Sequence, residues 1–216
     1  MQEDKIVEPF IEQYDVIRKF LNGKKKIVIG TMGPESTSSV QAAKFFCENI
    51  KELDAYEFRL FPDFKALLNA AHTETEMDFA LVPSAYERVT DFFWDMKLEN
   101  CMNFIFPTPQ YGLVCKNDYH IDNNENITIA TCHAVENIIE ELSDGRIKDE
   151  QVEKIFTPST TTALQEVIKG NADIAVTNET SFDLYKDRDI RFIYRKYNAK
   201  IVWCLFRKKG EKSGER

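Results

Sequence analysis

The chain has 216 residues, of which 43% are hydrophobic and 30% are charged, and it carries a formal net charge of -8. This length suits one domain or two small lobes with enough apolar side chains for a core. The acidic balance argues against a general binder of nucleic acid or anionic membranes, which needs a basic surface, and no apolar run reaches the roughly 20 residues that span a bilayer.

Residues 1–22 predict an amphipathic helix that precedes the main fold. Five apolar side chains fall close to one helical face: Ile6, Phe10, Tyr14, Ile17 and Leu21. The N-terminus is acidic and has no apolar signal core, so we expect a cytoplasmic protein. Together with the aromatic residues that follow Asp91, the apolar stripe predicts a dimer or a higher homo-oligomer.

Strand-like and helix-like segments alternate along the rest of the chain. The apolar runs predict strands at residues 26–30, 56–61, 79–82, 111–115, 127–131, 173–177 and 200–206. The helical spacing of apolar residues predicts helices at 36–53, 63–72, 84–94, 134–142, 159–169 and 179–185. This alternation predicts an α/β fold with largely parallel sheets. Pro107 and Pro109 indicate that the chain crosses between two lobes. Residues 207–216 are highly charged and predict a frayed tail.

The cysteines and histidines indicate neither a disulfide framework nor a metal centre. The five cysteines are odd in number and contain no C-x-x-C pair: Cys47, Cys101, Cys115, Cys132 and Cys204. His72, His120 and His133 lie far apart and match no zinc motif. We therefore expect no metal, and separately we expect no organic cofactor.

Hydroxyl side chains collect in several strand-to-helix turns, at residues 33–39, 157–162, 177–181 and, more weakly, 130–133. In parallel sheets the ligand crevice lies beyond the carboxyl ends of the strands, where such turns sit. A helix N-terminus binds carboxylate or phosphate without Lys or Arg. Ser, Thr and Asn are also the usual helix caps. Both interpretations, an anion-binding cleft and simple caps, therefore remain open at this point.

Two other patterns are weaker. The adjacent residues Cys132 and His133 suggest a thiolate–imidazole pair. However, neighbouring side chains usually point apart, and a nucleophile needs its base within hydrogen-bond reach. The spacing Gly30-x-x-Gly33 is too short for a dinucleotide-binding fingerprint, and the chain has no P-loop sequence.

Three blocks resemble the catalytic domains of prephenate dehydratases. They are Gly33-Pro-Glu-Ser-Thr-Ser-Ser39, Asp78-Phe-Ala-Leu-Val-Pro83 and Asp173-Ile-Ala-Val-Thr-Asn-Glu179, and the likeness extends from about residue 26 to 209. The resemblance implies two α/β lobes of the type II periplasmic-binding-protein kind, with a ligand cleft between the lobes. It divides the chain into a helical extension (1–22), lobe 1 (23–106 plus 196–209), lobe 2 (107–195) and a flexible tail (210–216).

The differences from the dehydratases are informative. Tyr86 stands where dehydratases have an Asn, Ala134 falls near the position of a Gln, and Ile201 falls where they have a Thr. All three polar groups expected in a dehydratase site are thus absent. An isoleucine cannot donate a proton to a departing hydroxyl, so we do not expect a dehydratase.

The chain more closely resembles the non-aromatising prephenate decarboxylases of the bacilysin-pathway type. The matching stretches include residues 31–39, 82–86 and 108–113, whereas Ser36, Ser84 and the stretch 131–133 depart from that pattern. The resemblance implies a carbon–carbon lyase that converts prephenate to a dihydro-hydroxyphenylpyruvate for antibiotic biosynthesis. Its partner would be a small dianionic substrate, with neither nucleic acid nor membrane.

For that reaction we assign candidate residues by chemical type. Tyr86, Tyr111 and His133 are candidate proton donors. The alternative for the two tyrosines is that they only line a pocket, and the alternative for His133 is that it is exposed to solvent. Arg88 would pair with the pyruvyl carboxylate or remain a solvated helix residue. The remaining substrate-binding candidates are Thr37, Ser38, Ser39, Ser84, Thr131, Cys132, Ser159, Thr160, Thr161, Thr177 and Asn178.

Two alternatives stay open from the sequence. Two-lobed folds of this kind often bind small anions without chemistry, so a noncatalytic binding module is one alternative. The other is a diverged prephenate dehydratase, or an isomerase, acting on a related cyclohexadienyl keto acid.

Overall fold

A computed structural model describes residues 5–24, 26–50, 53–121 and 126–210. Of the predicted tail, residues 211–216 lie outside the described residues, as do residues 1–4 of the predicted helical extension. The helices are α1 (Glu8–Leu21), α2 (Ser38–Asn49), α3 (Phe64–Thr73), α4 (Thr90–Phe93), α5 (Ile139–Leu142), α6 (Thr160–Lys169) and α7 (Glu179–Asp183), with 3-10 helices at His133–Ile138 and Asp149–Gln151. The strands are β1 (Ile27–Met32), β2 (Tyr56–Phe61), β3 (Phe79–Pro83), β4 (Leu98–Pro107), β5 (Tyr111–Lys116), β6 (Ile127–Thr131), β7 (Val152–Phe156), β8 (Ile174–Asn178), β9 (Ile190–Tyr197) and β10 (Lys200–Lys208).

The described residues divide into two compact units. Unit 1 contains residues up to 35, 39–106 and those from 201 onward, and unit 2 contains residues 36–38 and 107–200. The sequence-based division placed residues 196–200 in the first lobe. In the structure they belong to unit 2, because β9 continues to Tyr197, which pairs with Tyr111 of β5.

Unit 1 is built on a five-stranded sheet with the strand order β2-β1-β3-β10-β4. Strands β2 and β3 run parallel to β1 on its two sides, and β10 runs antiparallel to β3, with Trp203 opposite Pro83. The last strand therefore enters this sheet at the edge where β1 and β3 end.

The second half of α1 closes one face of this sheet. Its Ile17 and Leu21 are fully buried in an apolar cluster with Ile29, Phe79 and Trp203. Lys24, just after the helix, pairs with Asp78, whose other carboxylate oxygen accepts from the Val28 N–H at 2.9 Å. These contacts fix the end of α1 beside the start of β3.

Unit 2 repeats the architecture with the strand order β7-β6-β8-β5-β9. Strands β7 and β8 run parallel to β6, whereas β5 runs antiparallel to both β8 and β9. Helix α6 covers one face of the sheet through Ala163, Leu164 and Val167, which are fully buried.

Both sheets are mixed, so the prediction of largely parallel sheets is wrong. The predicted helix at 84–94 is also wrong over most of its length. Hydrogen bonds from Val89 N–H to the Tyr86 carbonyl and from Asp91 N–H to the Arg88 carbonyl make successive three-residue turns, and only Thr90–Phe93 is α-helical. The predicted helix at 134–142 is half 3-10 in character. None of the helices in the described ranges is long and apolar enough to cross a membrane.

Candidate active site

The polar turns of unit 2 meet at one edge of its sheet. Parallel strands β6 and β8 end there at Thr131 and Asn178, and β7 ends beside them at Phe156. Because β5 is antiparallel to β8, it begins at the same edge, with Tyr111 directly opposite Asn178. This is the edge at which open α/β sheets bind ligands.

Seven polar side chains form what we call the hydroxyl cluster: Ser36, Ser38, Tyr111, Thr160, Thr161, Asn178 and Ser181. The Tyr111 hydroxyl donates to the Ser38 oxygen at 3.3 Å, and the Asn178 amide donates to the Thr160 hydroxyl oxygen at 3.3 Å. The segment 36–38 thus belongs to this cluster although its chain neighbours lie in unit 1.

A second line of contacts runs through Thr161. Its hydroxyl oxygen lies 2.7 Å from that of Ser181 and 3.2 Å from that of Ser36. All three residues are almost completely buried. In either contact the donor can be either hydroxyl, and because one O–H carries one proton, Thr161 can donate to only one of its two neighbours at a time.

The cap interpretation is correct for two residues of these turns. The Ser159 oxygen accepts from the Thr162 N–H at 3.2 Å at the start of α6, and the Asn178 side-chain carbonyl accepts from the Ser181 N–H at 2.9 Å at the start of α7. The caps account for Ser159, whereas the amide of Asn178 stays in the cluster. The first N–H groups of α6, including those of Thr160 and Thr161, have no acceptor within the helix.

Burial raises the pKa of the Tyr111 phenol above its ordinary value, and the nearby Cys132 thiol adds to this rise. Hydrogen bonds between the phenol and the side chains of Ser38, Asn178 and Thr160 lower the pKa, but each of these effects is smaller than that of burial. The phenol therefore keeps its proton at neutral pH and is a hydrogen-bond and proton donor.

The remaining unit 2 candidates lie around this cluster. Thr177 is fully buried and donates to the Thr160 carbonyl at 2.9 Å, and Thr37 is buried between Ser36 and Ser38. Thr131 is also fully buried, and its carbonyl accepts from the Thr157 N–H at 2.8 Å, which closes the turn after β6. Cys132 is half-buried.

The contacts of His133 are with Phe156 and Glu136, outside the hydroxyl cluster. Its side chain is 55% exposed, its ring stacks on Phe156 at 4.2 Å, and its Nδ1 lies 3.4 Å from a Glu136 oxygen. These contacts agree with the alternative in which His133 lies in solvent, and they do not form the thiolate–imidazole pair.

The unit 1 candidates have separate surroundings. Tyr86 is half-buried against Phe64, with ring centroids 4.8 Å apart, and this burial raises its pKa. Ser84 is exposed and its N–H donates to the Val202 carbonyl, and Arg88 is an exposed residue paired with Asp91 at 2.6 Å. Ser39, in the first turn of α2, is buried.

Sequence reasoning missed two members of the hydroxyl cluster, Ser36 and Ser181. Both lie in turns that the sequence marked as rich in hydroxyls, and Ser36 occupies the position where the resembled enzymes have a glycine. Their contact through Thr161 depends on folding and has no local signal. In the described part of the chain, no three His, Cys, Asp or Glu side chains lie together as a metal site would require.

No family model matches this chain, whereas curated relatives match it over most of its length. A prephenate decarboxylase from Planktothrix agardhii (strain NIVA-CYA 126/8) is 34% identical over 187 residues, which cover 86% of this chain and 90% of that protein. A prephenate decarboxylase from Bacillus subtilis (strain 168) is 28% identical over 188 residues, covering 85% and 88%.

Solved structures show the same fold at lower identity. A prephenate dehydratase from Arthrobacter aurescens in complex with L-Phe has a TM-score of 0.60 and 14% identity, and the match covers 86% of this chain but only 61% of that one. The periplasmic VFT2 domain of BvgS from Bordetella pertussis has a TM-score of 0.58 and 13% identity, covering 93% and 86%. These likenesses confirm the expected fold class, that of the dehydratase catalytic domain and of periplasmic-binding-protein-like domains.

Proposed function

The chain belongs to the prephenate decarboxylase family, and on this premise we propose that it removes carbon dioxide from prephenate while keeping the ring hydroxyl. The observation that carries the proposal is the 34% identity to a prephenate decarboxylase across most of both chains. The enzyme is then a carbon–carbon lyase, and its product is a non-aromatic dihydro-hydroxyphenylpyruvate.

The reaction breaks one bond and forms another. The bond between the quaternary ring carbon and its carboxylate breaks, carbon dioxide leaves, and the electron pair spreads over the ring diene. A proton then adds to the ring, and the hydroxyl stays in place. Loss of the hydroxide as well would give an aromatic ring, which is the more stable product. The protein must therefore not supply an acid that protonates the departing hydroxyl.

The hydroxyl cluster supports the binding half of this proposal. Its members are uncharged donors, and Thr160 and Thr161 start the ten-residue helix α6, whose first N–H groups attract anions. A substrate carboxylate bound here exchanges water for fixed dipoles. Such a site weakens the hydration that stabilises a carboxylate against loss of carbon dioxide.

Tyr111 supports the protonation half. It is buried at the ligand edge of the unit 2 sheet, its pKa is raised by that burial, and its oxygen is oriented by Ser38. A phenol is a much stronger acid than the C–H group that forms when the ring carbanion is protonated. Tyr111 can therefore deliver this proton directly or through one water. We place Tyr111 first among the proton donors, with Tyr86 as the second candidate.

Retention of the hydroxyl follows from a missing acid. Ile201 lies at the start of β10, at the edge where β1 and β3 end, and it packs against the apolar cluster of unit 1 that contains Trp203. An aliphatic side chain offers no proton to a leaving hydroxide. The elimination that would make the ring aromatic therefore lacks help from this position.

Several finer statements belong to the same proposal. We assign the product to an antibiotic pathway of the bacilysin type, and the enzyme to the cytoplasm, where the five free cysteines would stay reduced. We expect no cofactor, no nucleic-acid or membrane partner, and a homo-oligomer. The proposed domains remain a helical extension (1–22), lobe 1 (23–106 with 196–209) and lobe 2 (107–195). The structure differs from this division in one place, because it groups residues 196–200 with unit 2.

The experiment that tests the proposal is incubation of the purified protein with prephenate, with carbon dioxide release and bound ligand measured in parallel. Stoichiometric carbon dioxide release without phenylpyruvate is expected. Tight binding of unchanged prephenate would instead indicate a binding module, an alternative that rests on the fold shared with BvgS and not on the relatives by sequence. Release of carbon dioxide with phenylpyruvate would indicate a diverged dehydratase, and a rearranged acid would indicate an isomerase.

A further inference from the structure

A cavity of about 330 Å³ lies in unit 2, at the end of the sheet away from the hydroxyl cluster. Its lining includes Cys115, near the carboxyl end of β5, and Arg191, which lies opposite Cys115 near the start of β9. Tyr111 of the hydroxyl cluster is at the other end of β5, four residues earlier, which is about 13 Å along an extended strand. The cavity is therefore separate from the candidate active site, and its volume is typical of small-molecule pockets.

The segment that follows β5 forms one wall of this cavity and is tied to β9 by hydrogen bonds. Arg191 donates from Nε to the Asn117 carbonyl at 3.4 Å and from Nη2 to the Tyr119 carbonyl at 3.0 Å. The Asn117 N–H donates to the Asp189 carbonyl at 3.2 Å, and the Asn117 amide donates to the Asp189 carboxylate at 2.6 Å. These four bonds fix the guanidinium and the wall relative to each other, so little ordering is left to a ligand.

The guanidinium of Arg191 keeps hydrogen-bonding capacity for a ligand. An arginine has five N–H donors in a planar fork, and the two carbonyls use one N–H each. Within the described ranges, neither Asp118 nor Asp189 lies within ion-pair distance of Arg191, and no acceptor bonds its Nη1. Arg191 is half-buried in a chain of net charge -8. A cation in this situation is suited to a carboxylate, which it binds through two parallel N–H bonds.

The backbone of Tyr194 is strained where it reaches the cavity. Its φ is 59°, in the left-handed region that bulky side chains seldom adopt. The pairing of β5 with β9 is irregular here, because residues 194–196 lie opposite Gly112 alone. Such a bulge redirects a side chain. Tyr194 and its neighbour Ile193 both line the cavity, although adjacent residues of a regular strand point to opposite faces. Strain of this kind collects at ligand-binding sites.

The surroundings suit a flat ligand that carries one negative charge. Tyr119 and Tyr194 are half-buried rings in the lining. The guanidinium carbon of Arg146 lies 5.2 Å from the centroid of the Tyr194 ring, which places a second positive charge beside the cavity. Burial raises the pKa of the Cys115 thiol above its ordinary value, so this part of the lining is uncharged at neutral pH.

We propose that this cavity is a second ligand site, which binds a small carboxylate with a flat, ring-sized body. The carboxylate accepts hydrogen bonds from Arg191, and the body packs against the rings of Tyr119 and Tyr194. His120, an exposed member of the lining, offers one more N–H donor. The mechanism at the hydroxyl cluster uses none of these residues, so the two proposals can fail independently.

Titration of the ¹⁵N-labelled full chain with benzoate, followed by amide NMR, tests the proposal. Benzoate is a flat monocarboxylate, and benzamide is its neutral counterpart of nearly the same shape. Benzoate is expected to shift the amide signals of residues 119–121 and 191–194, with a dissociation constant on the order of 1 mM. Benzamide should bind at least about tenfold more weakly, because it lacks the charge-assisted bonds.

Two variants and one control locate the site. Arg191→Gln removes the charge and should raise the benzoate dissociation constant at least about tenfold. Arg188→Gln makes the same change of charge at an exposed residue outside the lining, and it should leave binding within about twofold of wild type.

Arg191 also holds the wall of the cavity, so a variant that spares these bonds is needed as well. Tyr194→Gly removes one ring at a position whose φ of 59° glycine adopts readily, and the fold should persist by circular dichroism. The loss of this ring should weaken benzoate at least about fivefold.

Unchanged amide signals at residues 119–121 and 191–194 up to about 20 mM benzoate would overturn the proposal. Equal binding of benzamide and benzoate, or wild-type affinity in both Arg191→Gln and Tyr194→Gly, would overturn it as well. Shifts confined to residues 111, 160 and 178 would place benzoate at the hydroxyl cluster and would have the same consequence.

Discussion

Tyr111 and Asn178 lie directly opposite each other in the antiparallel pairing of β5 and β8, at the edge where the parallel strands of unit 2 end. The phenol and the amide therefore reach the same small volume, together with Thr160 and Ser38. This register, more than any local motif, brings a buried acid to a set of uncharged anion-binding groups.

The first prediction concerns Tyr111. Replacing it with Phe removes the proton donor while keeping the buried ring, so kcat for carbon dioxide release should fall by about 100-fold or more. Tyr185→Phe is the matched control, because that phenol accepts a hydrogen bond from Gln165 at 2.8 Å outside the hydroxyl cluster. Turnover within twofold of wild type in Tyr111→Phe would remove Tyr111 from the mechanism.

The second prediction concerns Ser181, which contacts Thr161 at 2.7 Å. Ser181→Ala removes one neutral hydrogen bond, which is worth about 1 kcal/mol, so KM for prephenate should rise about fivefold as Thr161 loses its orientation. Ser143→Ala is the control, since Ser143 is equally buried and accepts from the Ile147 N–H at 3.0 Å, away from the cluster. Both variants should lose similar thermal stability, and only Ser181→Ala should change KM. Equal KM values in the two variants would contradict the proposed role.

The third prediction separates His133 from the proton donors. Its ring is stacked on Phe156 and paired with Glu136 at the surface. His133→Ala should therefore keep kcat within about twofold of wild type, as is usual for exposed residues outside a site. Steady-state kinetics with prephenate measures this directly. A loss comparable to that of Tyr111→Phe would show that His133 acts in catalysis.

The fourth prediction concerns alkaline stability. Burial raises the thiol pKa from 9.0 to about 12 for Cys47 and Cys101, and to about 11 for Cys204. The folded protein then keeps these protons while the unfolded chain releases them, so their contribution to stability is complete below pH 9 and is lost as pH rises toward 11 and 12. The free energy of unfolding in urea, measured under reducing conditions, should fall steadily above pH 9. Cys204→Ala should show a shallower fall, and a decline unchanged by that substitution would contradict this cause.

Much of the fold was predictable because some strands have a strong local signal. The predictions for β2 and β6 match their bounds, and those for β1 and β3 agree to within two residues, since each is an apolar or alternating run between turn residues. Strands β4, β7 and β9 were missed because charged or amide side chains interrupt their apolar residues, as in Val152-Glu-Lys-Ile-Phe156. Their places depend on neighbouring strands, which the sequence does not display locally.

The candidate site was predictable in its chemistry but not in its contacts. The turns at 33–39, 157–162 and 177–181 were identified as rich in hydroxyls, and the structure brings members of all three together. That Ser36 and Ser38 group with unit 2, while Ser39 groups with unit 1, follows from the path of the chain between two compact units. No periodicity in the sequence encodes that path.

The central claim is that this chain releases carbon dioxide from prephenate and keeps the hydroxyl. Proton NMR of the products formed by the wild-type protein tests it most directly, because a retained carbinol proton and vinyl protons differ clearly from aromatic ones. We expect a non-aromatic keto acid with its carbinol proton intact. Phenylpyruvate as the main enzymatic product, with aromatic signals growing in proportion to carbon dioxide, would contradict it.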